Sequence, residues 1–278
     1  MSDMDRRSFL GRFTAATVLL SRLSRAATGD RKIDPIGVQL YSVRGEMEKD
    51  FEGTLAKVAA IGYREVEFAG LFHHSPRQVR AILDRDGLIA VSSHVDYRVL
   101  GTDWPTTVEG AKTMGQSFIV CPFLPEKLRN PEGLKQVAET FNRAGEESKK
   151  AGIQFGYHNH NFEFKTSVGG KLLYDALLEE TDPNLVKMEM DLYWITDAGH
   201  DPLTYFHRYP GRFPLVHVKD RTKNGEMTEV GSGAIDWKRI FAQADKAGIK
   251  HYIVEHDQPR SPFESIQASY TYLHNLRF

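Results

Sequence analysis

Cysteine is almost absent from this chain. The single Cys121 among 278 residues excludes an intramolecular disulfide framework and a cysteine-cluster metal site. Long hydrophobic runs are missing too: no uncharged apolar stretch approaches the ~18 residues that cross a bilayer, which excludes a polytopic membrane protein. Neither sign of charge dominates, with 36 Lys and Arg against 37 Asp and Glu. That balance argues against a nucleic-acid binder held by phosphate contacts. The apolar fraction of 41% is too high for a disordered chain. A nucleotide fingerprint is also lacking: the first β-rich run, Gly37-Val38-Gln39-Leu40-Tyr41, contains no G-x-G-x-x-G.

The N-terminus has a character of its own. It carries Arg6, Arg7, Arg12, Arg22 and Arg25 against Asp3 and Asp5, an uncharged stretch over residues 13–21, and the small-residue run Ser24-Arg25-Ala26-Ala27. A basic start, a short apolar middle and a small-residue end read as a signal peptide. Asp5-Arg6-Arg7-Ser8-Phe9-Leu10 resembles the twin-arginine export signal. Residues 1–29 are therefore expected to be a leader that engages the twin-arginine translocase. Residues 30–278, mildly acidic, would form the mature periplasmic or secreted protein.

From residue 36 onward, apolar β-rich runs alternate with amphipathic helical runs. Strands are predicted at 36–41, 65–68, 89–94, 118–121, 153–158, 186–191, 215–218 and 252–255. Helices are predicted at 54–61, 76–86, 131–151 and 236–247, each followed by Gly62, Gly87, Gly152 or Gly248. Corresponding strand-end positions recur at a mean spacing of about 31 residues, close to the roughly 30 that a strand, a helix and two turns require. Eight such units in one domain predict a (β/α)₈ TIM barrel.

Polar residues gather at the C-terminal ends of these strands: Glu67, His94, His158, His160, Glu189, Asp191, His217, Lys219, Glu255 and Asp257. A barrel brings such ends to one face, and so many ionisable groups in one mouth must be paired or bind a cation. His158, Asp191, His217 and Glu255 end four successive strands. Two imidazoles and two carboxylates suit Mn²⁺, Co²⁺ or Zn²⁺, so these four are the expected metal ligands. Gln39, Glu67, His94, Glu189 and Trp194 are expected to contact a substrate. His160 is expected as a ligand or a substrate contact, and Lys219 either polarises a developing oxyanion or bridges the mouth as a salt bridge. Gly231-Ser232-Gly233 either cradles an anion with backbone N–H groups or forms a plain turn.

Around these residues the chain resembles the xylose isomerase-like TIM barrel superfamily, the sugar-phosphate isomerase/epimerase proteins. The resemblance rests on Tyr157-His158-Asn159-His160-Asn161-Phe162-Glu163-Phe164, Met190-Asp191-Leu192-Tyr193-Trp194, His217-Val218-Lys219-Asp220, Gly231-Ser232-Gly233-Ala234-Ile235-Asp236-Trp237 and Ile253-Val254-Glu255-His256-Asp257. It implies a divalent metal held by strands five to eight, and an isomerase or epimerase of a sugar or keto-sugar acting through an enediolate. Glu255, Lys219 and His160 would be the catalytic groups. Many epimerases of the family place Glu where this chain has His158, which argues against a symmetric two-glutamate mechanism. A lyase or dehydratase on a keto-sugar or oxidised glycoside is the alternative within the chemistry, and a non-catalytic sugar-binding barrel the alternative outside it. An endonuclease IV-type phosphodiesterase would need more ligands and a basic surface.

Overall fold

A computed structural model describes residues 31–278; the leader expected over residues 1–29 lies outside the described residues. Eight parallel strands carry the fold: β1 (Gly37–Gln39), β2 (Glu65–Phe68), β3 (Ile89–Ser93), β4 (Phe118–Cys121), β5 (Gln154–His158), β6 (Val186–Asp191), β7 (Leu215–Val218) and β8 (His251–Val254). They pair in the order β3-β2-β1-β8-β7-β6-β5-β4. The ring closes between β3 and β4 through the parallel bridge of His94 with Val120. Two backbone hydrogen bonds flank it, from Ser117 N to Val91 O (3.0 Å) and from Val95 N to Val120 O (2.8 Å). The chain is thus a single-domain TIM barrel, as the spacing predicts.

The helices between the strands show why the sequence folds this way locally. Helix Pro76–Asp86 starts with a capping box, in which Ser75 and Gln78 each satisfy the other's backbone N–H, and has Pro at its first position. It ends at Gly87 with φ +67°, a left-handed turn that residues with a Cβ adopt only with strain. Helix Pro131–Lys150 buries Leu134, Val137, Ala138, Phe141 and Ala144 on one face, the spacing of a helical stripe. The single helix expected over 236–247 is instead two, Trp237–Phe241 and Ala244–Ala247. Gln243 between them has φ −100° and ψ 9°, outside helical geometry, so the Gly248 stop belongs to the second piece alone.

Alternation along the strands sorts the core into an outer sleeve and a barrel interior. Phe155, Tyr157, Met188, Met190, Val216, Val218 and Val254 join the large cluster packed under the helices, whereas Val91, Phe118, Val120, Leu215 and Ile253 form a separate small cluster inside the ring. On β7 and β8 this interior layer is followed two residues later by His217 and Glu255. A bulge between β2 and β3 places Ser92, rather than Val91, level with Glu67. The apolar layer therefore forms a floor, and the next inward residues of each strand form the mouth.

Candidate active site

On that floor sits a network of buried carboxylates and imidazoles. Glu67 accepts from Gln39 Nε2 (2.7 Å), Ser92 Oγ (2.5 Å) and His217 Nε2 (2.7 Å). Glu189 Oε2 lies 2.7 Å from His94 Nε2 and 3.1 Å from His158 Nδ1. His94 Nε2 is also 3.0 Å from Glu67, and its ring stacks on His217 with centroids 5.3 Å apart. Above this layer, His217 Nδ1 is 2.9 Å from Glu255 Oε2. Lys219 Nζ lies 3.0 Å from Asp191 Oδ2, 2.6 Å from Glu255 Oε2 and 2.8 Å from Asp257 Oδ1.

The charges follow from burial set against neighbours. Burial opposes a proton on His94, but the Glu67 and Glu189 carboxylates outweigh it and raise the group to about 10. The same contest, with Glu189 and Glu255 as partners, lifts His217 well above the ordinary imidazole value. His158 goes the other way: burial, reinforced by His217, keeps it neutral. Burial and the Lys219 charge push His160 down to about 3. Asp191 is raised by burial to about 6 despite Lys219. Glu255 is held below the usual carboxylate range because Lys219 and His217 overcome its burial.

Two imidazoles each face both layers. His158 turns Nδ1 to Glu189 and Nε2 toward Asp191 Oδ2, 3.9 Å away. His217 turns Nε2 to Glu67 and Nδ1 toward Glu255, with Asp191 Oδ2 at 3.9 Å. A carboxylate behind an imidazole fixes its tautomer and aims the other nitrogen forward. Glu189 Oε1 is buried without a hydrogen-bond partner, and Asp191 Oδ2 has no hydrogen bond and only the Lys219 ammonium at 3.0 Å; carboxylate oxygens left so short of partners favour a further cation. Two groups bring donor atoms within reach of one ion, Asp191 with His217 and Glu255, and His94 with His158, Glu189 and His217. Residues and donor chemistry fit a divalent cation. The forward set, His158 Nε2, Asp191 Oδ2, His217 Nδ1 and Glu255 Oε2, leaves the imidazole–carboxylate pairs behind it intact.

Several expected contacts sit elsewhere than the sequence implies. Gln39, Glu67 and Glu189 are fully buried and do not line the mouth cavity; Glu67 and Glu189 hold the imidazole rings, and Gln39 holds Glu67. That cavity, about 470 Å³, is walled by Lys219, Glu255 and Asp257 on one side and by His94, Pro122 and Phe123 on the other, with His158 and His160 between. Trp194 also lies off this lining, its Nε1 buried without a partner and its ring 5.5 Å below the Lys219 ammonium. His160 lines the cavity, with Nδ1 unpartnered. Tyr41 and Phe123 at the rim, and Ser92 under Glu67, are not among the site residues expected from the sequence; a lone strand serine or a loop aromatic carries no signal of its own. The Gly231-Ser232-Gly233 turn does cradle an anion, and the anion is the chain's own Asp220. Its carboxylate accepts from the N–H groups of Gly231 (2.8 Å), Gly233 (3.2 Å) and Ile235 (3.3 Å) and from Trp237 Nε1 (3.0 Å). A Cβ at residue 233 would collide with Asp220 Oδ1.

A closed parallel barrel with acids and imidazoles converging on its C-terminal mouth is the build of an enzyme barrel. The chain belongs to the xylose isomerase-like TIM barrel family, whose pattern matches residues 55–276. Inosose dehydratase of Lacticaseibacillus casei is 25% identical over 81% of this chain and 89% of its own length. Inosose dehydratase of Clostridium tetani is 30% identical over 70% of this chain and 77% of its own length. A solved sugar phosphate isomerase/epimerase from Parabacteroides distasonis is 32% identical with a TM-score of 0.77, covering 90% of this chain and 95% of that one. The chain is an enzyme of this family, and the two curated relatives named above are inosose dehydratases.

Proposed function

We propose that the protein is a metal-assisted lyase that removes a proton beside the carbonyl of a keto-sugar or keto-polyol and then expels a β-oxygen. The observation that carries this reading is the one-sided mouth. Glu255 with Lys219 and Asp257 lines the side of the mouth built by β7 and β8, and across from it, beside Pro122 and Phe123, the ionisable His94 is already engaged by Glu67 and Glu189. Epimerisation across a ring carbon calls for proton transfer on both faces. Removal of a proton and loss of an oxygen call for one base and one acid, which stand here 2.6 Å apart. The inosose dehydratase relatives support the same chemistry.

His158, Asp191, His217 and Glu255 would hold the ion, with Mn²⁺, Co²⁺ and Zn²⁺ matching the mixed donor set. When bound, a divalent ion supplies Lewis-acid stabilisation of negative charge on substrate oxygen. Glu255 takes the proton from carbon. The Lys219 ammonium gives its proton to the departing oxygen, which leaves as water or alcohol. Lys219 is also what depresses Glu255, so the carboxylate gains basicity as the ammonium spends its proton. Glu255 then returns the proton to Lys219, and Asp257 holds the amine throughout. Neutral His160, with a free ring nitrogen, binds a substrate hydroxyl.

The test is a panel of keto-sugars and an inosose with each metal added singly, run in deuterated water. The lyase reading expects a conjugated carbonyl chromophore, lost in both Lys219→Met and Glu255→Gln. The Parabacteroides relative favours the second outcome, isomerisation, which would show deuterium in a product that has lost no oxygen. Neither exchange nor chromophore on any substrate would leave a binding barrel.

A further inference from the structure

Large hydrophobic side chains that remain exposed are few. Among the described residues they are Tyr41 (40% exposed), Ile89 (53%) and Phe123 (47%). Two of the three, Tyr41 and Phe123, line the mouth cavity. They follow β1 and β4 and so stand on different sides of the opening, whereas Ile89 begins β3 at the opposite end of the barrel.

Both rim rings are held in place. The Arg44 guanidinium lies 3.9 Å from the centre of the Tyr41 ring and donates to Tyr41 O and Asp257 O, both at 2.8 Å. Tyr41 N donates to Gln39 Oε1 (3.0 Å), which fixes the backbone that carries the ring. Phe123 packs edge-on to His160 and Phe162, with centroids at 5.5 and 5.3 Å. Arg129 sits 4.8 Å from the Phe123 ring and 3.4 Å from that of Phe162, and its guanidinium is pinned by Leu124 O. Each rim ring is thus fixed at little entropic cost to a ligand and still offers apolar surface to solvent. Exposed aromatics clustered at a cleft mark a binding surface.

The cavity has room to spare. At about 470 Å³ it falls within the roughly 300–1,000 Å³ that accommodates drug-sized ligands, more than one pyranose or cyclitol ring fills. The ionisable groups occupy the inner end and the aromatic rings the outer end. We infer that the substrate carries a second ring: it is a glycoside whose reacting keto-ring lies against Lys219 and Glu255 while its other ring packs by its C–H face on Phe123 or Tyr41. This assignment rests on the keto-sugar reading of the same site and adds the class of substrate to it.

The experiment compares a keto-disaccharide with the keto-monosaccharide of identical reacting ring, using the metal-loaded full chain, in wild type, Tyr41→Ala, Phe123→Ala and Ile89→Ala. In parallel, calorimetry measures binding of unoxidised cellobiose and glucose as non-reacting probes. The expected result is a KM for the disaccharide about tenfold lower than for the monosaccharide. That preference should collapse toward unity in Phe123→Ala or Tyr41→Ala, with kcat little changed, and persist in Ile89→Ala. Cellobiose should bind tighter than glucose in wild type and in Ile89→Ala, but not in Phe123→Ala or Tyr41→Ala. Equal KM values for the two substrates in wild type would overturn the second-ring site and leave the lyase reading standing. If neither substrate reacts, the lyase reading fails, and the calorimetric preference decides the second-ring site by itself.

Discussion

Asp191 and Asp220 are both buried aspartates at strand ends on the same side of the barrel, yet they do opposite things. Asp220 has both carboxylate oxygens filled: besides the turn N–H groups and Trp237, it accepts from its neighbour Arg221 N at 2.8 Å. Asp191 fills only Oδ1, from Tyr193 N and Trp194 N, both at 2.9 Å. Its Oδ2 points into a cluster of imidazoles and acids, with no hydrogen bond and only the Lys219 ion pair. A carboxylate that neutral donors fully satisfy is a structural pin, here closing the loop between β7 and helix Trp237–Phe241. A buried carboxylate left half-satisfied keeps electrostatic demand in reserve for a cation. The difference between pin and site lies in the partners, since the residue type and the burial are the same.

The strongest way to break this contrast is Asp191→Ala. Bound metal should fall to background and turnover should drop well beyond the roughly 10–100-fold that outer partners of a metal site contribute, with a smaller fall in the thermal midpoint than Asp220→Ala causes, since Asp191 accepts from only two backbone N–H groups. Retention of full metal stoichiometry would remove Asp191 from the site. Asp220→Ala should do the reverse. Stripping one acceptor from several buried N–H donors costs about 3–5 kcal/mol, read as a lower urea midpoint, while metal content per folded molecule stays at the wild-type level. An unchanged midpoint would mean that water replaces the carboxylate and the pin is dispensable.

A finer probe is Glu189→Gln. If Glu189 serves by fixing the His158 ring, metal affinity by titration calorimetry should weaken about 10–100-fold without loss of fold. Unchanged affinity would place His158 outside the ligand set. The smallest effect concerns Glu163, another buried carboxylate, which accepts from Tyr157 OH (2.5 Å) and His160 N (2.9 Å). Burial outweighs these bonds and raises it from the ordinary 4.5 to about 7. The folded state therefore holds this proton more tightly than the unfolded chain, so the stability it contributes is complete below about pH 4.5 and lost as pH rises through about 7. Glu163→Gln should be more stable relative to wild type at pH 8 than at pH 5, as urea midpoints at the two pH values will show. A difference independent of pH would mean that Glu163 is already ionised at pH 5.

Much of this architecture was legible in the chain. The bounds predicted for β2, β4, β6 and β7 coincide with those observed, because short apolar runs in β4 and β7 and apolar–polar alternation in β2 and β6 mark strands directly. His158, Asp191, His217 and Glu255 could be singled out because period-2 alternation sends every second residue inward, and each stands one step past an apolar inward position or at a strand end. Helix 236–247 could not be divided correctly, since its apolar spacing runs unbroken through Gln243.

What the sequence determined by itself is the barrel, the face on which its acids and imidazoles meet, and the donor types gathered there, all of which follow from local periodicity. Tertiary structure alone decided which nitrogen of His158 and His217 faces forward, that Gln39, Glu67 and Glu189 stand behind those rings, that Lys219 bridges Asp191, Glu255 and Asp257, and that the glycine turn is filled by Asp220. These are contacts between strands far apart in the chain, and their free energy depends on which partners share one desolvated space, a property that no single segment carries.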